Sequence, residues 1–306
     1  VLNSEFYTGK RVAALRVVEA AIVRLVEAKR RQSKGRALKA VQGEIEAALE
    51  VGWRAQGRLV LKGFEGLQRS WPEPARFLKE GGMVRVWLRE AVDEGDLDGI
   101  FEEAAKRTFD LFAEPLTEAA GQALASGALG LVGRLGLEAA WDLKNPRAVR
   151  YLEAYGGLLV RQLNETTLGD LRTTLVYGLE NGWSYTKTAR AIQERFRGYY
   201  DTGSWWNFDA PRPQGHIASR AHLVAVTESG NAYEAGSYMV VEDLAEAGMR
   251  VEKRWSTVGD DKVSEGCREN EAEGWIAAEQ AHKSGDMHPL RFPGCRCDEL
   301  YEVKEA

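Results

Sequence analysis

The chain has 306 residues, of which 44% are hydrophobic, enough to bury a core and to build two domains or one large one. Forty-six acidic against forty-one basic residues give a net charge of −5, which argues against a sequence-independent nucleic-acid binder with a basic face over most of its surface. Three cysteines are too few for a disulfide framework and odd in number, so folding in a reducing cytosol is expected, and the lack of any run of eighteen apolar residues argues against membrane insertion.

From Lys10 to about Gln32, Leu15, Val18, Ile22 and Leu25 recur at helical spacing with charges between them, which predicts an amphipathic helix. Its end runs into Lys29, Arg30, Arg31, Lys34, Arg36 and Lys39. Positive charge there is favourable against the helix dipole, and the same cluster is a candidate contact for DNA phosphates. Between Gly52 and Trp87 the glycines and prolines, among them Gly57, Gly63, Gly66, Pro72 and Pro74, interrupt short apolar runs. Turns and a short strand are predicted there. Helical periodicity returns from Asp96 to Phe112. The Ala/Gly/Leu-rich segment from Pro115 to about Trp141 carries glycines that cost helix propensity, so if helical it must lie tightly against its neighbours.

Asn145-Pro146 reads as an N-cap followed by proline at the first helical position. Three helices are expected after it: Pro146 to Leu163, with a weak point at Gly156-Gly157, then Thr167 to Asn181, and Ser184 to Arg197. The stretch from Gly198 to Gly215 is a loop by its Gly, Pro and Asp content, yet it holds Tyr199, Tyr200, Trp205, Trp206 and Phe208. Such aromatics either anchor a protein partner or tuck over the chain's own core. Ile217 to Gly248 reads as one long or broken helix, and RVEKRW, from Arg250 to Trp255, alternates as a strand. CRCDELYEV, from Cys295 to Val303, is a second strand candidate. The expected fold is mainly α (α+β): a helical N-terminal region over residues 1–140, then a helical domain over 141–306 that ends in a small antiparallel β-sheet.

No Gly-rich phosphate loop, no HExxH motif and no G-x-S-x-G elbow occurs, so no enzyme is expected. His216 and His222 have no carboxylate at an obvious partner spacing and read as ordinary polar positions. Asp260-Asp261 could bind a hard cation but reads better as a turn. The remaining cluster is Cys267, His282, His288, Cys295 and Cys297. On an extended strand Cys295 and Cys297 would point to one face. Cys267, His288, Cys295 and Cys297, spaced C-x20-H-x6-C-x-C, are a candidate structural zinc site. Reduced structural thiols come before that zinc site as the reading of the cluster, and a disulfide from Cys267 to the pair comes after it.

The ordered series NPRAVRYLEAYGGLLVRQLNETT, GWSYTKTARAIQERF, ASRAHLVAVTESGNAYEAG, KRWSTVGDDKVSEGC and FPGCRC resembles the head morphogenesis domain of tailed bacteriophages, the Mu F-like minor head protein family. The resemblance runs from about Trp141 to Val303. The chain departs from the family pattern at several places: Val226-Thr227-Glu228 stands where Arg-Thr-Glu is common, Ser264 where a first cysteine often occurs, and Phe292 where a histidine is usual, with His288 four residues earlier. The resemblance implies a structural minor capsid protein made in the bacterial cytoplasm and kept in the virion at the portal vertex. It would act in procapsid assembly, DNA packaging or ejection, with the portal protein, the major capsid or scaffolding protein, and DNA as partners. Tyr199, Tyr200, Trp205, Trp206 and Phe208 are then the candidate docking residues. A lumenal DNA-binding protein is the alternative, as is a metal-dependent nucleic-acid-modifying enzyme using Asp260, Asp261, Glu228 and the Cys/His group.

Overall fold

The structure is a computed structural model that describes residues 4–69, 96–137, 141, 143–181, 183, 185–200 and 219–304, with side chains described at most positions from Lys34 onward. Helix α1 (Ser4–Arg69) does not stop at Gly52 as the sequence predicts. Gly52, Gly57 and Gly63 are instead places where other helices come close. A Cβ on Gly52 would lie 2.3 Å from the Phe112 ring, and one on Gly63 would lie 2.6 Å from Ile100. Leu38, Val41, Ile45, Leu49, Trp53, Val60 and Phe64 fall at three-, four- and seven-residue steps along the same helix and are buried, so packing outweighs about 1 kcal/mol of lost propensity per glycine. The turns and short strand predicted between Gly52 and Trp87 are replaced by helix as far as Arg69, the run RLVLKGF included, and residues 70–95 lie outside the described residues.

Helix α2 (Asp96–Arg134) is continuous through Pro115, with Phe112 and Leu116 fully buried on either side of it. Its small residues meet α5 (Arg220–Glu246) backbone to backbone, as the glycine content requires. A Cβ on Gly127 would sit 1.9 Å from the Tyr233 carbonyl oxygen, and one on Gly236 would sit 2.0 Å from that of Leu124. Helix α3 (Pro146–Glu180) begins as predicted: the Arg147 amide donates to Asn145 Oδ1 at 2.9 Å. It is one helix rather than two. The Thr167 hydroxyl, read as the start of a second helix, donates back to the Leu163 carbonyl at 2.7 Å and so satisfies itself within the turn.

Helix α4 (Tyr185–Gly198) follows, and α5 is capped by Ser219, whose hydroxyl accepts from the His222 amide at 3.1 Å. Beyond α5 the chain forms β1 (Arg250–Ser256), α6 (Glu265–Glu273), β2 (Ile276–Ala277) and β3 (Asp298–Lys304). The sheet is antiparallel in the order β2–β1–β3, with Val251 opposite Val303 and Trp255 opposite Glu299. Neither α6 nor β2 was legible in the sequence. Helix α6 buries only Cys267 and Asn270, too few apolar positions to leave a periodic signal.

One hydrophobic cluster runs from Leu38 in α1 to Tyr301 in β3, so α1 and α2 share a core with the elements beyond residue 140. A second, smaller cluster gathers Trp255, Val263, Cys267, Cys295 and Cys297, with Leu290 and Phe292 against it. Among the described residues no helix is long and apolar enough to cross a membrane.

Candidate functional site

The second cluster is built from three stretches of chain. Cys267 lies in the first turn of α6, where its amide donates to the capping Ser264 hydroxyl at 3.3 Å. Cys295 and Cys297 lie just before β3, not on the strand itself, so strand alternation is not what brings them together. A turn does it. Gly294 takes φ +79, a left-handed conformation that glycine adopts without cost, and its amide donates to Thr227 Oγ1 of α5 at 2.9 Å. The Cys295 amide then donates to the Phe292 carbonyl at 3.0 Å. The three sulfurs end within 4.8 Å of one another and are all buried. Beside them is a void of about 10 Å³, bordered by Lys262, Ser264, Phe292 and Arg296.

The thiols share their protons unevenly. Hydrogen bonds from Cys267 and then from Cys297 draw the Cys295 pKa down, which favours its thiolate. The same contacts push the other two up, through Cys295 for Cys267 and through Cys267 first for Cys297.

His288 is not among the atoms gathered there, although the sequence grouped it with the three thiols. Its Nδ1 donates to its neighbour, the Pro289 carbonyl, at 2.7 Å, and its ring lies 6.1 Å from that of Tyr238. Burial lowers its pKa, so it sits there as a neutral imidazole at neutral pH. His282 is also held elsewhere. Its Nε2 is 3.1 Å from Glu299, its Nδ1 is 3.4 Å from Glu273, and its ring stands edge-on to Trp255 at 5.1 Å.

Lys34, read from the sequence as part of a basic patch, is turned into the protein. Its ammonium donates to Glu234 of α5, to the Cys297 carbonyl at 3.1 Å and to Asp298 at 3.3 Å. Burial works against this charge, but Glu234 and Asp298 outweigh it and push the pKa up. A clamp from α1 to the segment carrying two of the cysteines is the result. Arg36 and Lys39 are exposed, while the side chains of Lys29, Arg30 and Arg31 lie outside the described residues.

The base of the aromatic loop forms a second arrangement. Tyr199 is 4% exposed, with its ring 5.0 Å from Trp53 and its hydroxyl donating to Asp170 at 3.0 Å. The Arg220 guanidinium stacks over Tyr199 at 4.6 Å and over Trp53 at 5.0 Å, and Arg195 pairs with Asp170 at 3.0 Å. Tyr200 lies under Arg54 at 4.7 Å. Tyr199 is therefore a core residue, and the Ala221 amide donates to its carbonyl at 2.8 Å. That bond ties together the two sides of the stretch holding Trp205, Trp206 and Phe208, which are outside the described residues. Sequence reasoning missed Asp170, Arg195 and Arg220. No local spacing relates them, since they come from α3, α4 and α5.

Two of the three carboxylates considered for catalysis, Asp260 and Glu228, have structural partners, while Asp261 is exposed. Asp260 closes a turn by accepting from the Lys262 amide at 3.1 Å, as the sequence predicted, and it pairs with Arg296 at 2.5 Å. Glu228 is buried beside Tyr151 and Tyr155 of α3, and burial raises its pKa. His222, read as an ordinary polar position, meets Glu46 of α1 at 2.8 Å.

Residues 169–300 match the family described as phage Mu protein F like protein. The C-terminal part of the chain, from within α3 into β3, is thus similar to that family. The thiol cluster and the base of the aromatic loop lie inside the matched stretch, whereas α1, α2 and Lys34 lie outside it. No curated protein matches the chain, and neither does any solved structure.

Proposed function

We propose that the chain is a minor head protein of a tailed bacteriophage, made in the host cytoplasm and carried in the capsid interior at the portal vertex. It acts there in procapsid assembly, DNA packaging or ejection. The family match over residues 169–300 carries this reading. Two features of the structure support an assembly role over an enzymatic one: the carboxylates Asp260 and Glu228 are engaged in turn and core contacts, and the loop after Tyr199 is held at both ends by the rigid Trp53–Tyr199–Arg220 stack. A loop that presents aromatic side chains from a fixed base suits docking on a protein partner. The major capsid or scaffolding protein is a further partner under this reading. A DNA contact through Arg36 and Lys39 is compatible with it as a secondary property.

Co-sedimentation with the portal ring encoded by the same genome tests the assignment, at moderate and at high salt. Binding at a defined ratio in both is expected. Binding to DNA alone, with a steep loss on raising salt, would place the chain in the lumen as a DNA-associated protein instead.

A further inference from the structure

We propose that Cys267, Cys295 and Cys297 form a structural zinc site whose three thiolates pin α6 to the segment entering β3, with a water-sized ligand completing the coordination. The geometry fits. A zinc ion bonded to sulfur at about 2.3 Å in a tetrahedron places its sulfurs about 3.8 Å apart, and these three lie within 4.8 Å of one another. Among the described residues no histidine or carboxylate ligand atom joins them, so the fourth position falls to a small external ligand. The void beside the sulfurs, about 10 Å³, admits one water and nothing larger. That size separates the site from a catalytic one, which keeps a position open to substrate.

Charge balance favours a dication. Three thiolates alone would carry net negative charge into a cluster walled by Trp255, Val263 and Phe292, so the thiols stay protonated until a dication is bound. Zn²⁺ reverses most of this charge, and Lys262 lies at the edge of the void. On binding, the sulfurs lose their thiol protons to solvent and each forms a metal–sulfur bond, with no change in oxidation state. The position of the site gives it a task. Residues 292–297 are irregular yet bury both cysteines, and Cys297 also presents its carbonyl to Lys34. Fixing the sulfur of Cys297 fixes that carbonyl as well. The proposal does not depend on the head-protein reading.

The full chain, prepared reduced and metal-free, is titrated with Zn²⁺ and separately with Co²⁺. Uptake of about one ion per chain is expected, with thiolate-to-cobalt charge-transfer absorption, protection of the three thiols from iodoacetamide, and a melting temperature that rises with zinc and falls back with chelator. Cys295→Ser should abolish the cobalt band. Because that variant may fail to fold, the wild-type titration alone decides the matter. Three thiols that alkylate equally with and without zinc, or a disulfide among them in protein isolated without reductant, would overturn the proposal.

Discussion

Lys34 and Glu228 show how a single charged side chain changes meaning once it is buried. Lys34 sits among the acceptors of Glu234, Asp298 and the Cys297 carbonyl, and the two carboxylates are essentially unexposed. Lys34→Met keeps the length of the side chain but leaves both carboxylates without their cation. A loss of about 3–5 kcal/mol is expected in denaturant titration, and adding Glu234→Gln should recover part of it, since the two positions are coupled. Glu228 works in the opposite direction. Its folded pKa is raised by burial, so the native state holds the proton more tightly than the unfolded chain does. Stability should therefore fall as pH rises from the ordinary glutamate range through the folded pKa. Glu228→Gln should match the parent near pH 4 and exceed it at pH 7, by on the order of 1 kcal/mol in thermal or chemical melts. A parent and variant with the same pH dependence would show that the carboxyl is ionised at no cost. From the sequence Lys34 looked like one more member of a basic run, because nothing local distinguishes it from Arg36 or Lys39. The acids that claim it are 200 and 264 positions away.

At the scale of elements the glycines divide into two kinds. Gly127 and Gly236 let α2 and α5 touch through their backbones, and a methyl at either would overlap a carbonyl at about half of normal contact distance. Either Gly→Ala change should destabilise by about 1–3 kcal/mol or more, the cost of overpacking against atoms that cannot move aside. Gly43 in α1 has nothing within 4 Å of a built Cβ, so Gly43→Ala should stabilise by about 0.5–1 kcal/mol. Equal effects at the buried and exposed positions would contradict this division. It also explains what was readable in advance. Helices whose glycines are few, and the strand β1 with its alternating residues, were legible from local pattern. The continuation of α1 past Gly52 was not, because a glycine that breaks a helix and one that admits Phe112 look alike until the second helix is in place. The tight packing expected of the Ala/Gly-rich segment was readable, although the identity of its partner was not. The cysteines were grouped correctly for an incomplete reason. They converge through a Gly294 turn and the cap of α6, neither of which has a period to detect.

For the molecule as a whole, the stretch that matches the family model does not stand apart from what precedes it. Lys34 of α1 reaches the segment before β3, His222 meets Glu46, and Trp53 of α1 lies in the stack with Tyr199 and Arg220. Changes in α1 should therefore be felt at both candidate sites. Docking, by contrast, should separate from folding. Under the proposed docking role, replacing Trp205 and Trp206 together by alanine is expected to abolish co-sedimentation with the portal ring while leaving the melting temperature within a degree or two of the parent. Loss of binding accompanied by a large drop in melting temperature would mean that the tryptophans belong to the core.

The hydrogen bond from the Ala221 amide to the Tyr199 carbonyl has a practical corollary for engineering. It closes a ring of chain whose two ends enter the scaffold side by side, so the scaffold has no need of a particular length between them. Doubling the number of residues in such a loop costs only about 0.6 kcal/mol of closure entropy. The segment can then be treated as an exchangeable cassette: foreign peptides or affinity tags spliced between Tyr200 and Ser219 should leave the helices and the thiol corner as they are.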